Sequence, residues 1–253
     1  MLKNYRILLA KRCFRFVDAV LLFGGTKKAS NILHNLKGQG LIEGIRKNLY
    51  VAISLDTMEP VASPFEIATL IAGDNGAVSH HSAFEYYGLA NQVYSDVFVL
   101  SDKKSEIVMF DGKEYKCLKR DCSFGIVKKG KVSVCDLERT VLDSIKEFEK
   151  ISGLEELLRC LDMVSYLDEV KLMKYLQCYD SKILYQKTGY LLGVFPRLHL
   201  SERFFDYCKN RIGSSVRYLY EDLKLESYKY DKKWQLCVPD KMLDLLGEGS
   251  YFP

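Results

Sequence analysis

Between Gly24 and Ile53 the spacing of apolar residues changes from a helical period to a strand period. From Lys27, the residues Ala29, Ile32, Leu33 and Leu36 fall at i, i+3, i+4 and i+7, which predicts a helix with one buried stripe. The opposite face carries Lys27, Lys28, Ser30, Asn31, His34 and Asn35, with no carboxylate among them. Gly24-Gly25 predicts a tight turn before this helix, Thr26 is placed to cap its first turn, and Gly38 and Gly40 end it. Leu41, Ile42 and Ile45, a polar tip at Arg46-Lys47-Asn48, and then Leu49, Tyr50, Val51 and Ile53 read as a β-ribbon. Upstream, residues 4–12 and 14–23 hold too many apolar side chains for one face, which suits two short helices packed on two sides. Helices followed by a polar-faced helix and a basic ribbon form the pattern of a winged helix-turn-helix over residues 1–55.

The stretch DTMEPVASP contains two prolines, Pro60 and Pro64, and its residues 56–63 read as a linker. The remainder, 64–253, predicts a larger mixed α+β domain. It starts with a capping box: Ser63 at the N-cap, Pro64 at the first helical position and Glu66 two residues on. Ser79 is placed to cap a short helix through Tyr87 that Gly88 stops, and Tyr94–Leu100 reads as a strand. Asp111-Gly112 predicts a hairpin joining Ile107–Phe110 to Glu114–Leu118, and Lys129-Gly130 another between Phe124–Val127 and Val132–Val134. Helical patterns follow from Leu137, with Asp136 as cap, then three further helical segments to Gly193 and one over Ser201–Arg211. Leu223–Tyr230 and Trp234–Val238 read as a closing hairpin. Strands first and helices after gives an α+β class rather than a doubly wound sheet.

Charge changes the picture more than composition does. Residues 1–60 hold 10 Lys and Arg against 4 Asp and Glu, while residues 61–253 hold 27 against 29. The positive excess therefore sits in the first quarter, where phosphate steering needs it. Lys27, Lys28, Lys37, Arg46 and Lys47 are the candidate phosphate contacts. Thr26, Ser30, Asn31, His34, Asn35 and Asn48 complete the predicted DNA-facing set, the asparagines because an amide pairs with both N6 and N7 of adenine.

No apolar stretch approaches the ~18 residues of a membrane span, and no signal peptide is recognisable. The eight cysteines lack C-x-x-C spacing and read as reduced, core-filling residues of a cytoplasmic protein. The chain has no phosphate-binding glycine loop, dinucleotide fingerprint or nucleophile elbow. His80-His81 lacks a second ligand in its sequence context, so a backbone-bonded His80 is the structural expectation. Asp96 or Asp102 with Glu114-x-Lys116 can be forced into the carboxylates and lysine of a metal-dependent nuclease, but Glu114 and Lys116 flank a hairpin and alternate on one exposed face, which is common in solvated strands and is the favoured reading. Asp136, Glu138, Arg139 and Asp143 read as a salt-bridged helix start. No metal or cofactor is called for.

Three stretches, GLIEGIRKNLYV, VSHHSAFEYYGL and VSVCDLERTVLDSI with its helices through LYQKTGYLLG, together resemble the AbiEi-type antitoxins. These are bacterial transcriptional regulators of abortive-infection, type IV toxin–antitoxin systems. The resemblance covers about residues 1–240, and its signatures fall on Ser79, His80, Ser82, Ala83, Gly88, Leu89, Glu138, Arg139, Thr140 and Asp143. It implies a winged-helix domain that represses its own operon from double-stranded operator DNA. It also implies a phage-defence role in which the second domain counters a nucleotidyltransferase-like toxin without a stable complex. The glycine pair before Thr26 departs from the bulkier turn usual in the family. The sequence reading is thus a non-enzymatic, cytoplasmic, monomeric DNA-binding antitoxin with no membrane partner. Its alternatives are a stand-alone transcription factor with a sensing C-terminal domain and a metal-dependent nuclease.

Overall fold

A computed structural model describes residues 2–102, 105–120 and 122–246. The chain is mixed α+β with several sheets. It divides into two compact units, 1–82 with 94–134, and 83–93 with 135–253.

The first unit opens with α1 (Leu2–Lys11), β1 (Cys13–Arg15), α2 (Phe16–Phe23), α3 (Thr26–Gly38), β2 (Ile42–Arg46) and β3 (Leu49–Ala52). The three strands form an antiparallel sheet in the order β1-β3-β2. Tyr5, Leu8, Phe14, Ala19, Phe23, Ala29, Leu33, Leu36 and Ile42 make its core. β1 was not anticipated. Three residues leave too short a pattern to read, and only the pairing of Cys13 with Val51 and Arg15 with Leu49 makes them a strand. The turn from α2 into α3 is Gly24 and Gly25, with φ of 75° and 151°. Side chains rarely adopt such angles, so the short turn depends on glycine. Gly25 is the N-cap of α3 and makes no side-chain cap, which corrects the expected capping by Thr26. Thr26 is already the first helical residue.

The expected linker is not an open tether. The chain after β3 folds back on it: Ser54 N donates to Glu59 O at 2.9 Å, Val61 N donates to Ala52 O at 3.0 Å, and Ile53 bridges to Pro60. The predicted capping box then opens α4 (Pro64–Ala72): Glu66 N donates to Ser63 Oγ at 3.2 Å and Ser63 N to Glu66 Oε2 at 2.8 Å. The same Glu66 carboxylate accepts from Arg12 Nε at 2.9 Å. Such bonds place residues 1–55 in one compact unit with α4 and the sheet that follows, so the compact units differ from the division 1–55, 56–63, 64–253 read from the sequence.

After α4 come β4 (Ala77–Val78), α5 (His80–Tyr86), β5 (Asp96–Ser101), β6 (Glu106–Phe110), β7 (Lys113–Lys119), β8 (Ile126–Lys129) and β9 (Val132–Cys135). They build a six-stranded sheet in the order β6-β7-β5-β4-β9-β8. The hairpin at Asp111-Gly112 forms as predicted, both residues at positive φ (50° and 68°). Strand order is less local: β5 runs parallel to β7, and β4 parallel to β9.

The second unit holds α6 (Leu137–Lys146), α7 (Leu154–Met163), α8 (Glu169–Tyr179), α9 (Lys182–Gly193), α10 (Glu202–Lys209), β10 (Arg217–Tyr218), β11 (Tyr228–Asp231) and β12 (Leu236–Pro239). β12 lies between β10, parallel to it, and β11, antiparallel. The closing hairpin is shorter than expected because Glu221–Leu225 winds into a 3-10 helix that buries Leu223. A third sheet therefore follows the helices, so strands do not simply precede them. Trp234 packs against Gly189 of α9, where a Cβ would come within 2.1 Å of the indole.

Candidate nucleic-acid interface

The amphipathic reading of α3 holds residue by residue. Ala29, Leu33 and Leu36 are buried and Ile32 is half-buried, while Thr26, Lys27, Lys28, Ser30, Asn31, His34, Asn35 and Lys37 are all exposed. Burying each leucine contributes about 1.5–3 kcal/mol, which fixes the rotation of the helix and hence which side chains face outward. The outward set combines three lysines with amide, hydroxyl and imidazole groups. Lys37 bends toward the ribbon, its Nζ 3.4 Å from where a Cβ on Gly44 would stand.

The ribbon divides its tip unequally. Lys47 and Asn48 are exposed, and Asn48 turns the chain at φ 65°. Arg46 is not free: it forms an ion pair with Glu106 of β6 and donates from Nη2 to Ile71 O, at the end of α4, at 3.0 Å. The expected phosphate contact at this position would have to compete with these two partners. Its guanidinium ties the ribbon to the six-stranded sheet, and a partner 60 residues away is invisible to local pattern. Arg15 forms a comparable tie at the start of α2, to Asp74 at 2.8 Å, and this hydrogen bond holds its pKa above the usual value. Cys13 in β1 has its thiol pushed up to about 12, by burial first and by Glu66 second, so it stays a neutral packing group.

The other sequence candidates resolve into distinct environments. His80 is buried at φ 50°, and its Nδ1 lies 3.0 Å from Ser79 Oγ. His81 meets the edge of Tyr94 at 4.4 Å. Ser82 accepts from Phe98 N at 2.9 Å, Ala83 is fully buried, and Gly88 ends the short helix at φ 70°, where Leu89 N donates to Phe84 O at 2.8 Å. These signature positions shape a strand-to-helix corner.

The parallel pairing of β5 with β7 brings Asp96, Glu114 and Lys116 together. Lys116 Nζ pairs with Asp96 and lies 3.6 Å from Glu114, and the Asp96 hydrogen bond is the main cause raising its pKa. Its ammonium thus occupies the space a cation between the two carboxylates would take. Asp102 is elsewhere, accepting from Arg120 Nε at 2.8 Å and from Asn75 at 2.9 Å.

In the second unit, Asp136 caps α6, accepting from Arg139 N at 3.0 Å, and also accepts from the Tyr175 hydroxyl at 2.7 Å. Glu138 accepts from Asp168 N at 3.0 Å and Lys171 Nζ at 3.2 Å. Arg139, 2 % exposed, donates to Asp143 at 3.2 Å; Asp143 also accepts from Tyr179, and Thr140 Oγ1 donates to Asp136 O at 2.8 Å. This polar knot pins α6 to α8, in keeping with the salt-bridged helix start read from the sequence.

No helix among the described residues is long and apolar enough to cross a membrane. No family model matches the chain, and no curated protein matches it. Among solved structures it is similar to the crystal structure of the Rv2827c protein from Mycobacterium tuberculosis, with a TM-score of 0.62 and 10% sequence identity, over 92% of this chain and 88% of that one. At that identity the likeness is one of fold.

Proposed function

We propose that the chain is a non-enzymatic DNA-binding antitoxin and autorepressor of a toxin–antitoxin operon, acting against a nucleotidyltransferase-like toxin without a stable complex. In this reading residues 1–55 are a winged helix-turn-helix: α2 and α3 are the helix pair, α3 enters the major groove, and β2–β3 is the wing. The observation that carries it is the outward face of α3, where every predicted contact residue is exposed and no carboxylate intervenes. Lys27, Lys28, Lys37 and Lys47 neutralise phosphates, and Ser30, Asn31, His34 and Asn35 meet base edges. The antitoxin and phage-defence parts of the proposal rest on the sequence resemblance, and the second unit is assigned toxin neutralisation on the same ground.

A second reading, a metal-dependent nuclease, draws on the meeting of Asp96, Glu114 and Lys116 on neighbouring strands. Gel shifts with the DNA upstream of the chain's own gene, with and without Mg²⁺, separate the two. Autorepression requires retention of intact upstream DNA in preference to a scrambled duplex. Equal retention of both duplexes would sink it, and Mg²⁺-dependent cleavage abolished by Glu114→Gln would put the nuclease in its place.

A further inference from the structure

The second unit contains a cavity of about 820 Å³ that the DNA reading does not use. One wall is the start of α9, with Lys182, Ile183 and, a turn later, Lys187; the other is β10 and the 3-10 helix after it, with Arg217, Tyr218, Tyr220 and Lys224. None of the four cations makes an ion pair among the described residues. Two acids, Asp180 and Glu221, also line the space, which leaves it two positive charges in excess. Three lysines and an arginine thus line one concave space.

We infer that this cavity binds a nucleoside monophosphate. The charge excess matches the roughly −1.5 to −2 of a phosphate monoester at neutral pH. The size falls within the roughly 300–1,000 Å³ of small-molecule sites and is far more than an inorganic anion fills. Aromatic and apolar groups supply the remaining surface: Tyr218 and Tyr220 stand on one wall, opposite Ile183. Lys187 is the least solvated of the cations. It lies 5.2 Å from the Phe148 ring centroid, and burial, against the opposing pull of Glu149, lowers its pKa, so an anion that restores its solvation is favoured.

The site is also preformed. The buried Gln186 amide donates to Ser215 O at 3.2 Å and Trp234 O at 3.1 Å, and Arg217 N donates to Gln235 O at 3.1 Å. These bonds hold the strand that carries Arg217 and Tyr218 against α9, so the backbone of the site is fixed and the ordering cost on binding falls on the cationic side chains.

Calorimetric titration of the full chain with AMP, GMP, UMP, adenosine and inorganic phosphate tests the inference, which stands independently of the DNA reading. At least one mononucleotide should bind with 1:1 stoichiometry, with the free nucleoside and inorganic phosphate about tenfold weaker or more, since each lacks one half of the recognition. Arg217→Gln and Lys224→Gln alter exposed residues and should each weaken binding by about tenfold with an unchanged melting temperature. Lys187→Gln should weaken it further, with its melt measured alongside. The inference is overturned by no binding of any mononucleotide up to roughly 5 mM, which is weaker than about 3 kcal/mol. Phosphate binding as tightly as the nucleotides, or unchanged affinity in both exposed variants, overturns it equally. A short oligoribonucleotide that binds more tightly than every mononucleotide overturns the free-nucleotide assignment.

Discussion

Alanine at Arg46 and alanine at Lys47, one residue apart at the tip of the ribbon, should behave as different kinds of change. Lys47 is exposed, whereas Arg46 is held by Glu106 and by the carbonyl of Ile71. The available cations on this face are then Lys27, Lys28, Lys37 and Lys47. If each neutralises one phosphate, log K falls against log salt with a slope of about −3.6; a fifth contact from Arg46 would make it about −4.5. Lys47→Ala should reduce the slope's magnitude by about 0.9 and weaken every duplex alike. Arg46→Ala should leave the slope unchanged and act on stability. The hydrogen bond to Ile71 contributes about 1 kcal/mol net and the ion pair about 0–1 kcal/mol, because its side chains are 23% and 40% exposed and screened by solvent. A total of about 1–2 kcal/mol lowers the melting temperature by roughly 2–8 °C in a chain of this size. Fluorescence anisotropy over a series of NaCl concentrations, with a thermal melt of each variant, measures both quantities. A slope reduced by about 0.9 in Arg46→Ala with an unchanged melt would refute the argument, because Arg46 would then leave its protein partners for phosphate.

Three more changes separate reading from folding. Asn31→Ala or Asn35→Ala, both on the exposed face of α3, should cost roughly 1–3 kcal/mol on the operator and almost nothing on scrambled DNA; equal losses on both duplexes would move base reading away from this helix. Arg139→Ala leaves the buried Asp143 without its cation and should destabilise the second unit by about 3–5 kcal/mol, seen as an earlier melt and lost growth rescue in cells expressing the partner toxin. Lys27→Ala with Lys28→Ala should keep that rescue; losing it at constant expression level would mean that the two halves were assigned the wrong way round.

What the sequence determined by itself is what interactions within a few residues decide. The buried stripe of α3, the capping box of Ser63 and Glu66, and the hairpin at Asp111-Gly112 all depend on contacts between near neighbours, so their spacing alone predicts them. The same locality explains why the exposed face of α3 was legible. Where the local signal is weak, the expectation failed: Thr26 can cap a helix, but the glycine before it takes the cap position, and Cys13–Arg15 is too short to show a period. Only the tertiary structure decided the parallel pairing of β5 with β7, which unites Asp96 with Lys116, and the capture of Arg46 by Glu106. It alone gathered Lys182, Lys187, Arg217 and Lys224 around one cavity. The physical reason is that a charged side chain has no sequence period to announce its partner. Whether it faces solvent, a phosphate or a carboxylate is settled by which distant strand or helix the packed core brings beside it.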